Sequence, residues 1–432
     1  MRVIGIDIGT TTICALVYDT DTGSVLGESA RPNTPPDGPS GIQDPELILR
    51  SVEEILEEIG SSGASAIGFS SQMHGILYVD REGRAVSPFY TWQNQCGKVL
   101  EEALSEDLGY RVYTGYGLVT HKAMPALPEG AERFCNIGDY VAMRLTGRTV
   151  PLCDASIAAS LGIWDVQRAR LTEAFPGDRR FFPDVVEEAS VAGCWHGIPV
   201  ITALGDNQCS FLGSVLSLRE DVVLSYGTSG QISFCSSADE SFPGFEQRPL
   251  GKGVRLQAAF SLAGGESFQL LAAFFQEVTE LCGLKLERPM YEVLDGFSYS
   301  DGDKSMRCEP FFLGERGNSS SLASFSRITA ENFRPKAMAH ALLEGMAWEL
   351  FRFYEALPEE ARKSKKRLIG TGNGLRKNAQ LQKIVEEMYG MPLVLREIRE
   401  GSCVGAVMNA LVALGHYGSY EEAARAMNGL LR

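Results

Sequence analysis

The stretch VIGIDIGTTTICALVY, residues 3–18, decides the fold. A β-branched apolar run meets Gly-Thr-Thr and gives way at once to a second apolar run, which predicts a strand, a tight turn and a second strand. The stretch VVLSYGTSGQISF, residues 222–234, repeats this pattern 218 residues later, counted from Gly9 to Gly227. Because this offset is almost half of the 432 residues, we predict two similar halves that each begin with a hairpin.

Strands and helices alternate after each hairpin. The segment Asp44-Pro45-Glu46 has the N-cap, the early proline and the early acid of a helix start. Further strands are expected at residues 64–70, 76–79, 199–203, 367–370 and 393–396, and further helices at 98–108, 136–146, 154–160, 265–282, 335–356, 376–389 and 402–414. This alternation predicts an α/β fold of two domains, residues 1–216 and 217–432, with ligands at the strand ends in a cleft between them.

Composition excludes several classes of protein. Apolar residues make up 44% and charged residues 22%, as in ordinary globular proteins. The net charge of −15 disfavours binding to nucleic acid or to an anionic membrane surface. The run from Cys403 to Gly415 is too short to span a bilayer, and Asp7 interrupts what would be the apolar part of a signal peptide. Ten scattered cysteines without a CxxC pair favour reduced thiols and a cytoplasmic protein.

Both Gly-Thr-Thr/Ser turns suit a phosphate group. Glycine allows close backbone approach, and the turn offers consecutive N–H donors and short hydroxyls. Asp7 lies in an apolar strand, where a carboxylate is costly without a partner such as a metal ion. The turns and Asp7 thus suggest a phosphate group with Mg²⁺. The alternative is two ordinary hairpin turns, one of them capped by Asp7. No P-loop motif is present.

Asp206 follows a predicted strand about twenty residues before the second turn, at the base of the expected cleft. One carboxylate is enough to orient a hydroxyl group for phosphoryl transfer and to take its proton, so Asp206 is a candidate general base. The alternative is that it caps the helix that follows, and both roles can coexist.

Polar and aromatic residues at strand exits of the first half suit a polyhydroxylated ligand. Amide and imidazole groups hydrogen-bond hydroxyls, and an indole stacks on an apolar sugar face. The residues are Gln72, His74, Trp92, Gln93 and Asn94. The alternative for His74 is a structural role, in which its ring nitrogens form hydrogen bonds within the protein rather than with a ligand. Residues 370–374, GTGNG, follow a strand and read equally as a loop against the nucleoside of ATP or as an ordinary turn between a strand and a helix.

Together these motifs resemble the FGGY carbohydrate kinases of the actin-like ATPase superfamily, and the likeness extends over nearly the whole chain. Each motif is modest alone, but six in the right order are specific. They are residues 3–12, 70–75, 138–147 with 154–156, 205–207, 227–229 and 370–373.

The resemblance implies two actin-like, ribonuclease H-like domains with a cleft, and ATP and Mg²⁺ as cofactors. It implies that Asp206 is the general base and that Asp7 and Asp206 organise the metal. It implies contacts to ATP from Thr10, Thr11, Thr12, Gly227, Thr228, Gly264, Gly372 and Asn373. It implies contacts to the sugar from Gln72, Met73, His74, Trp92, Asp206 and Asn207.

Residues 91–93 and 114–121 are most similar to the sedoheptulokinases of that family, although Asn94, Gln95 and Cys96 depart from their pattern. The expected reaction is phosphorylation of a terminal hydroxyl of a ketose, with sedoheptulose as the leading substrate and a monomer or homodimer as the expected state. A xylulose- or ribulose-type kinase is the first alternative. A non-sugar actin-like ATPase is the second, although it would need neither Gln72, Met73 and His74 nor a base at Asp206. A sugar-binding regulator is the third.

Overall fold

The computed structural model describes residues 1–33, 41–299, 301–316, 318, 320–396 and 400–430. The first half contains the strands β1 (Arg2–Ile8), β2 (Thr12–Asp19), β3 (Ser24–Pro32), β4 (Ile42–Gln43), β5 (Ala66–Ser71), β6 (Leu77–Val79), β7 (Phe89–Tyr90), β8 (Arg133–Cys135), β9 (Leu152–Asp154), β10 (Trp164–Asp165), β11 (Arg170–Leu171), β12 (Asp184–Val186), β13 (Val191–Trp195), β14 (Ile198–Ile201) and β15 (Leu204–Gly205). Its helices are α1 (Pro45–Glu58), α2 (Glu101–Leu108), α3 (Gly117–Ala123), α4 (Ile137–Thr146), α5 (Ala155–Ser160) and α6 (Asp206–Ser214).

The second half contains the strands β16 (Asp221–Tyr226), β17 (Gly230–Ser237), β18 (Glu246–Pro249), β19 (Val254–Ser261), β20 (Arg307–Glu309), β21 (Ser324–Ser326), β22 (Arg367–Thr371) and β23 (Leu393–Leu395). Its helices are α7 (Gly264–Leu281), α8 (Met290–Asp295), α9 (Pro335–Glu355), α10 (Glu359–Ser364), α11 (Asn373–Lys377), α12 (Ala379–Tyr389), α13 (Gly401–Ala413) and α14 (Tyr420–Leu430). Short 3₁₀ turns occur at Lys98–Leu100, Arg179–Phe181 and Asp301–Ser305.

The two halves are built on sheets of the same design. The first sheet has the strand order β13-β14-β5-β1-β2-β3, and the second has the order β18-β19-β17-β16-β22-β23. In each sheet an antiparallel hairpin, β1–β2 or β16–β17, is joined on one side by a parallel strand, β5 or β22. The predicted internal repeat and the two-domain α/β fold are therefore confirmed.

The structure contains several elements that the sequence did not predict, such as α3, α8 and α14, and two further regions show why. The helix expected over residues 376–389 is divided into α11 and α12, because Asn378 has φ −104° and ψ 95° and its side chain accepts a hydrogen bond from the N–H of Leu381 at 2.8 Å. Asn378 thus starts a second helix where apolar spacing alone predicted one. Residues 175–200, which are too rich in turn formers to interpret from sequence, contain β12 and the antiparallel pair of β13 and β14.

Helix α13 comes late in the chain but packs on the first sheet and on α6 at backbone distance. Added Cβ atoms at Gly5 of β1, Gly68 of β5, Gly213 of α6 and Gly405 of α13 would each lie 2.1 Å from a carbonyl oxygen across the interface. Real Cβ atoms do not approach that closely, so glycine is required at all four positions. The last part of the chain therefore closes the core of the first half.

No helix in the described ranges is long and apolar enough to cross a membrane. In the same ranges all ten cysteines are free thiols, and seven of them are buried. The expectation of mostly buried reduced thiols is met.

The Gly68→Ala substitution tests the close packing of α13. Its Cβ would meet the backbone oxygen of Ala406, so strand and helix must separate, which we expect to lower the free energy of unfolding by about 1–3 kcal/mol. The measurement is urea unfolding. The matched control is Gly27→Ala on β3, where an added Cβ meets nothing within 4 Å and stability should change by less than about 0.5 kcal/mol. Equal effects of the two substitutions would contradict the packing argument.

Candidate active site

Six of the residues that the sequence singled out line one cavity of about 430 Å³. We call it the carboxylate cavity, because Asp7 and Asp206 both face it. Its lining consists of Asp7, Met73, His74, Trp92, Asp206, Asn207, Ser210, Arg248 and Ser402. Residues from both sheets and from α6 and α13 thus meet at one place.

A second cavity, of about 970 Å³, lies in the second half and is called here the glycine-turn cavity. Its wall contains the predicted ATP contacts Gly227, Thr228, Gly372 and Asn373. Apolar side chains that include Phe268, Met290, Leu343 and Met346 form much of the rest. A polar, glycine-rich end next to an apolar wall has the chemistry that phosphates and a nucleobase require.

Glycines bring the turns of this cavity together. Gly265 donates its N–H to the carbonyl oxygen of Gly227 at 2.9 Å, which places the N-terminus of the 18-residue helix α7 against the second hairpin turn. A Cβ at Gly264 would lie 2.5 Å from the backbone nitrogen of Gly230, so Gly264 packs behind the turn and Gly265 lines the cavity. A helix N-terminus beside a glycine turn is suited to an anionic phosphate.

Gly372 is required for a different reason. It has φ +81°, a conformation that favours glycine, and a Cβ there would lie 2.5 Å from the carbonyl oxygen of Tyr226. The loop after β22 therefore passes directly over the end of β16, next to the second hairpin turn.

Asp7 is placed by the pairing of β1 with β5, in which it lies opposite Ser70. The hydroxyl of Ser70 donates a hydrogen bond to Oδ1 of Asp7 at 2.5 Å. Burial raises the pKa of Asp7 to about 7 against the opposing effect of this hydrogen bond, and the negative charges of Asp206 and Glu400 raise it further. A nearby cation would favour the ionised form.

Asp206 is the first residue of α6, and Gly205 occupies the N-cap position. The carboxylate therefore lies in the first turn, where the helix dipole favours negative charge, and accepts a hydrogen bond from the N–H of Asn207 at 2.7 Å. Burial raises the pKa of Asp206 to about 6, opposed by the positive charge of Arg248. Such a carboxylate is mostly ionised at neutral pH and is still a useful proton acceptor.

The donor set of the carboxylate cavity fits Mg²⁺. This ion is usually bound through one or two carboxylates, with its other ligands from phosphates and water, and Asp7 and Asp206 are two such groups in one cavity. A group of three or more His, Cys, Asp or Glu side chains that could hold a metal ion by themselves is absent from the described part of the chain.

His74 is held as a neutral ring. It has φ +76°, its N–H donates to the hydroxyl of Ser160 at 3.1 Å, and its Nδ1 lies 2.9 Å from the carbonyl oxygen of Ser160. The ring stacks on Tyr116 with centroids 4.3 Å apart. Burial and the positive charges of Arg248 and Arg316 lower the pKa of His74 to about 3. Because a carbonyl only accepts, Nδ1 carries the proton and Nε2 is left as a hydrogen-bond acceptor.

Gln72 lies beneath the first hairpin turn rather than in the cavity wall. It is buried, its Oε1 accepts from the hydroxyl of Thr10 at 3.2 Å, and its Nε2 donates to Oε1 of Gln43 at 2.8 Å. Trp92 is half-exposed and donates from Nε1 to the hydroxyl of Thr10 at 2.9 Å. The first turn is thereby tied to the cavity wall through Trp92, and Gln72 supports that turn from below.

The other threonines of the first turn have different surroundings. Thr11 is exposed at its tip, and the carbonyl oxygen of Thr12 accepts the N–H of Gly9 at 3.0 Å to close it. The second turn is closed by the N–H of Gly227 donating to the carbonyl oxygen of Ser229, also at 3.0 Å. The contacts of Thr10, Thr11 and Thr12 to a nucleotide stay a prediction.

Sequence reasoning missed Arg248, Ser210 and Ser402 in the cavity wall. Arg248 lies on the short strand β18, whose sequence EQRP has no motif. Ser402 opens α13, and only the packing of that helix on the first sheet brings it to the site. A lone arginine beside a proline was the only available signal for Arg248, and it is too common to interpret.

Comparison with known proteins shows the family to which the chain belongs. Residues 2–213 match the sequence model for the N-terminal domain of the FGGY family of carbohydrate kinases, and residues 251–414 match that for the C-terminal domain. The chain is 25% identical to the xylulose kinase of Lactococcus lactis, over 98% of this chain and 90% of the relative. It is 28% identical to the sedoheptulokinase of Homo sapiens, over 90% of this chain and 93% of the relative.

Among solved structures, the gluconate kinase of Lactobacillus acidophilus has the same fold, with a TM-score of 0.83 at 20% identity, over 98% of this chain and 92% of that one. The fold of two actin-like domains is therefore confirmed. Both halves of the family are present in order over most of the sequence. The protein belongs to the FGGY family of carbohydrate kinases, which are ATP-dependent enzymes.

Proposed function

We propose that the enzyme transfers the terminal phosphoryl group of ATP to a terminal hydroxyl of a ketose, with sedoheptulose as the preferred substrate. The observation that carries this proposal is that Asp206 shares the carboxylate cavity with Asp7, His74 and Trp92. The amide of Asn207 donates to Oε1 of Gln231 at 3.0 Å, and Gln231 lies two residues after the second turn. The carboxylate is thereby close to both the sugar residues and the phosphate turns.

Asp206 acts as the general base in this proposal. Its carboxylate orients the sugar hydroxyl and takes its proton as the new oxygen–phosphorus bond forms. Mg²⁺ held by Asp7 and Asp206 would neutralise charge on the transferred phosphoryl group. The N-terminus of α7 and the turn at Gly227 and Thr228 bind the remaining phosphates, with the nucleoside under residues 372–374 and against the apolar wall.

The sugar is held from the first half. Nε2 of His74 accepts a hydrogen bond from a sugar hydroxyl, because its Nδ1 is already bonded to Ser160. The exposed face of Trp92 packs against the apolar face of the sugar. Closure of the two domains around it would exclude water and prevent wasteful hydrolysis of ATP.

Sedoheptulose is chosen because residues 91–93 and 114–121 resemble those of sedoheptulokinases and because the human sedoheptulokinase is 28% identical. A xylulose-type substrate is the runner-up, since the xylulose kinase of Lactococcus lactis aligns with 98% of the chain. We also propose a cytoplasmic location, which the free thiols of the described residues support.

A coupled assay with ATP, Mg²⁺ and ketoses of five, six and seven carbons tests the substrate. We expect the highest kcat/KM with sedoheptulose and ATP consumption that depends on the sugar. Highest activity on xylulose or ribulose would favour the runner-up, and equal rates on all ketoses would overturn the choice of substrate. ATP hydrolysis that no sugar stimulates would favour a non-sugar ATPase.

Asp206→Asn tests the base. The amide keeps the shape of the side chain but accepts no proton, so kcat should fall by at least about 100-fold while the Kd for ATP, measured by calorimetry, changes less than threefold. The control is Asp184→Asn at an exposed position of β12, which should retain full activity. Turnover within tenfold of the wild type would remove Asp206 from the role of base.

The protonation state of His74 gives a third test. With a pKa of about 3, the ring should stay neutral from pH 5 to pH 8, with its proton on Nδ1. NMR of protein labelled in histidine shows this as constant ring shifts, with His74→Asn for assignment and free histidine as the titrating reference. A titration of His74 within that range would contradict the assignment of Nε2 as acceptor.

A further inference from the structure

Arg248 is the charged side chain that the second half contributes to the carboxylate cavity. It lies on β18, at the edge of the second sheet, and its side chain is 12% exposed. It also lines an adjoining cavity of about 480 Å³ that shares Met73 and His74 with the first. Arg248 therefore lines both cavities together with Met73 and His74 of the first half.

The hydrogen bonds of Arg248 are incomplete on the side of the first half. Nη2 donates to Oε2 of Glu246 at 3.1 Å, whereas Nη1 lies 3.8 Å from Sδ of Met73. A thioether is a weak acceptor, and an arginine has five N–H donors to satisfy. Among the described residues, the cavity side of this guanidinium group therefore has no strong acceptor, and a ligand oxygen would supply one.

The group is also held in a fixed position. Its guanidinium lies 5.1 Å from the ring centroid of Phe260, and Glu246 anchors it from behind. Glu246 is itself bound by Arg316 at 2.5 Å, and Arg316 stacks on Phe260 and Tyr113. One carboxylate shared between two guanidinium groups leaves this cluster itself with net positive charge, next to the carboxylates of Asp7 and Asp206 in the cavity. A side chain held in this way loses little entropy when it binds a ligand.

We propose that Arg248 binds the carbohydrate directly, by donating hydrogen bonds from Nη1 to an oxygen of the sugar. This inference rests on the proposed function and names the contact by which the second half recognises the sugar. Nη1 lies against Met73, and His74 of the same predicted sugar segment lines the same cavity, whereas the second phosphate turn lines the glycine-turn cavity. A sugar is thus the occupant that the surroundings favour.

The contact has a consequence for specificity. The predicted sugar contacts lie in the first half. A sugar bound by them alone would not contact the second half, so closure of the two domains would not depend on which sugar is bound. A hydrogen bond to Arg248 from across the cleft makes the closed state depend on the presence of the right oxygen. A ketose that lacks this oxygen would leave a buried guanidinium unpaired, which penalises its transition state strongly.

Arg248→Met tests the contact, because methionine keeps the apolar stem and removes the donors. With sedoheptulose, or the best ketose of the panel, we expect KM for the sugar to rise and kcat/KM to fall by about 10- to 100-fold, while KM for ATP changes less than threefold. Arg248→Lys, which keeps the charge but not the planar fork, should recover part of the loss.

The matched control is Arg316→Met. Arg316 shares Glu246 and Phe260 with Arg248 but does not line the carboxylate cavity, so sugar KM should change less than threefold. Circular dichroism and thermal melting check that each variant is folded. Equal losses from Arg248→Met and Arg316→Met would show that the Glu246 cluster acts only structurally, and a rise in KM for ATP alone would assign Arg248 to the phosphates. Either result overturns the proposal.

The two proposals fail in different ways. If the wild-type enzyme phosphorylates none of the ketoses, the proposed function is wrong. If it phosphorylates one and Arg248→Met is equally active on it, the proposed function stands and the contact to Arg248 is wrong.

Discussion

The structure depends on the backbone-to-backbone packing of α13 against the first sheet and α6. Gly5 and Gly68 allow this helix to pack against two adjacent strands, and Gly213 and Gly405 allow it to pack against α6. At each of these glycines the backbones are too close for a side chain to fit between them. Gly5 is two residues before Asp7, and Gly213 lies on the helix that begins with Asp206. The same helix presents Ser402 to the cavity. A rigid, glycine-lined core thus fixes both carboxylates from behind.

Because this packing holds Asp7 and Asp206 in place, the two carboxylates repel each other in the folded protein. Asp7 and Asp206 are both buried at one cavity, and the charge of Asp206 raises the pKa of Asp7. Two carboxylates that are unable to move apart remain partly protonated unless a cation is near. Ser70, Arg248 and the first turn of α6 each favour the ionised forms, but none of them is a divalent ion. The proposed Mg²⁺ would therefore offset repulsion that the fold itself creates.

Much of the fold was predictable, because its strongest signals are local. The two hairpins, the helix start at Asp44 and the order of motifs are each read from a few adjacent residues. The association of α13 with the first sheet was not predictable, since it joins Gly5 and Gly68 to residues more than 300 positions away. The division of a helix at Asn378 was missed because a local cap overrode the apolar spacing.

In the site, too, the residue types were predictable from short motifs, whereas the directions of the side chains depend on residues that are distant in the sequence. Asp206 and His74 were identified from motifs, and the structure places them in one cavity, whereas Gln72 from the same motif supports the first turn. A motif specifies residue types but not the direction of each side chain, because that depends on neighbours such as Gln43 and Thr10.

The position of Arg248 in the second half illustrates why the substrate is harder to predict from sequence than the type of reaction. The proposed reaction would use a base, a phosphate site and a metal ion, and each of these is predicted from a short sequence motif. In the proposed recognition, specificity would depend on single side chains such as Arg248, whose Nη1 lies 3.8 Å from Sδ of Met73 although 175 positions separate the two residues. No motif in the sequence around Arg248 predicts its contact with Met73. Similar proteins are named for xylulose and for sedoheptulose, and a gluconate kinase has the same fold, so the fold alone does not identify the substrate.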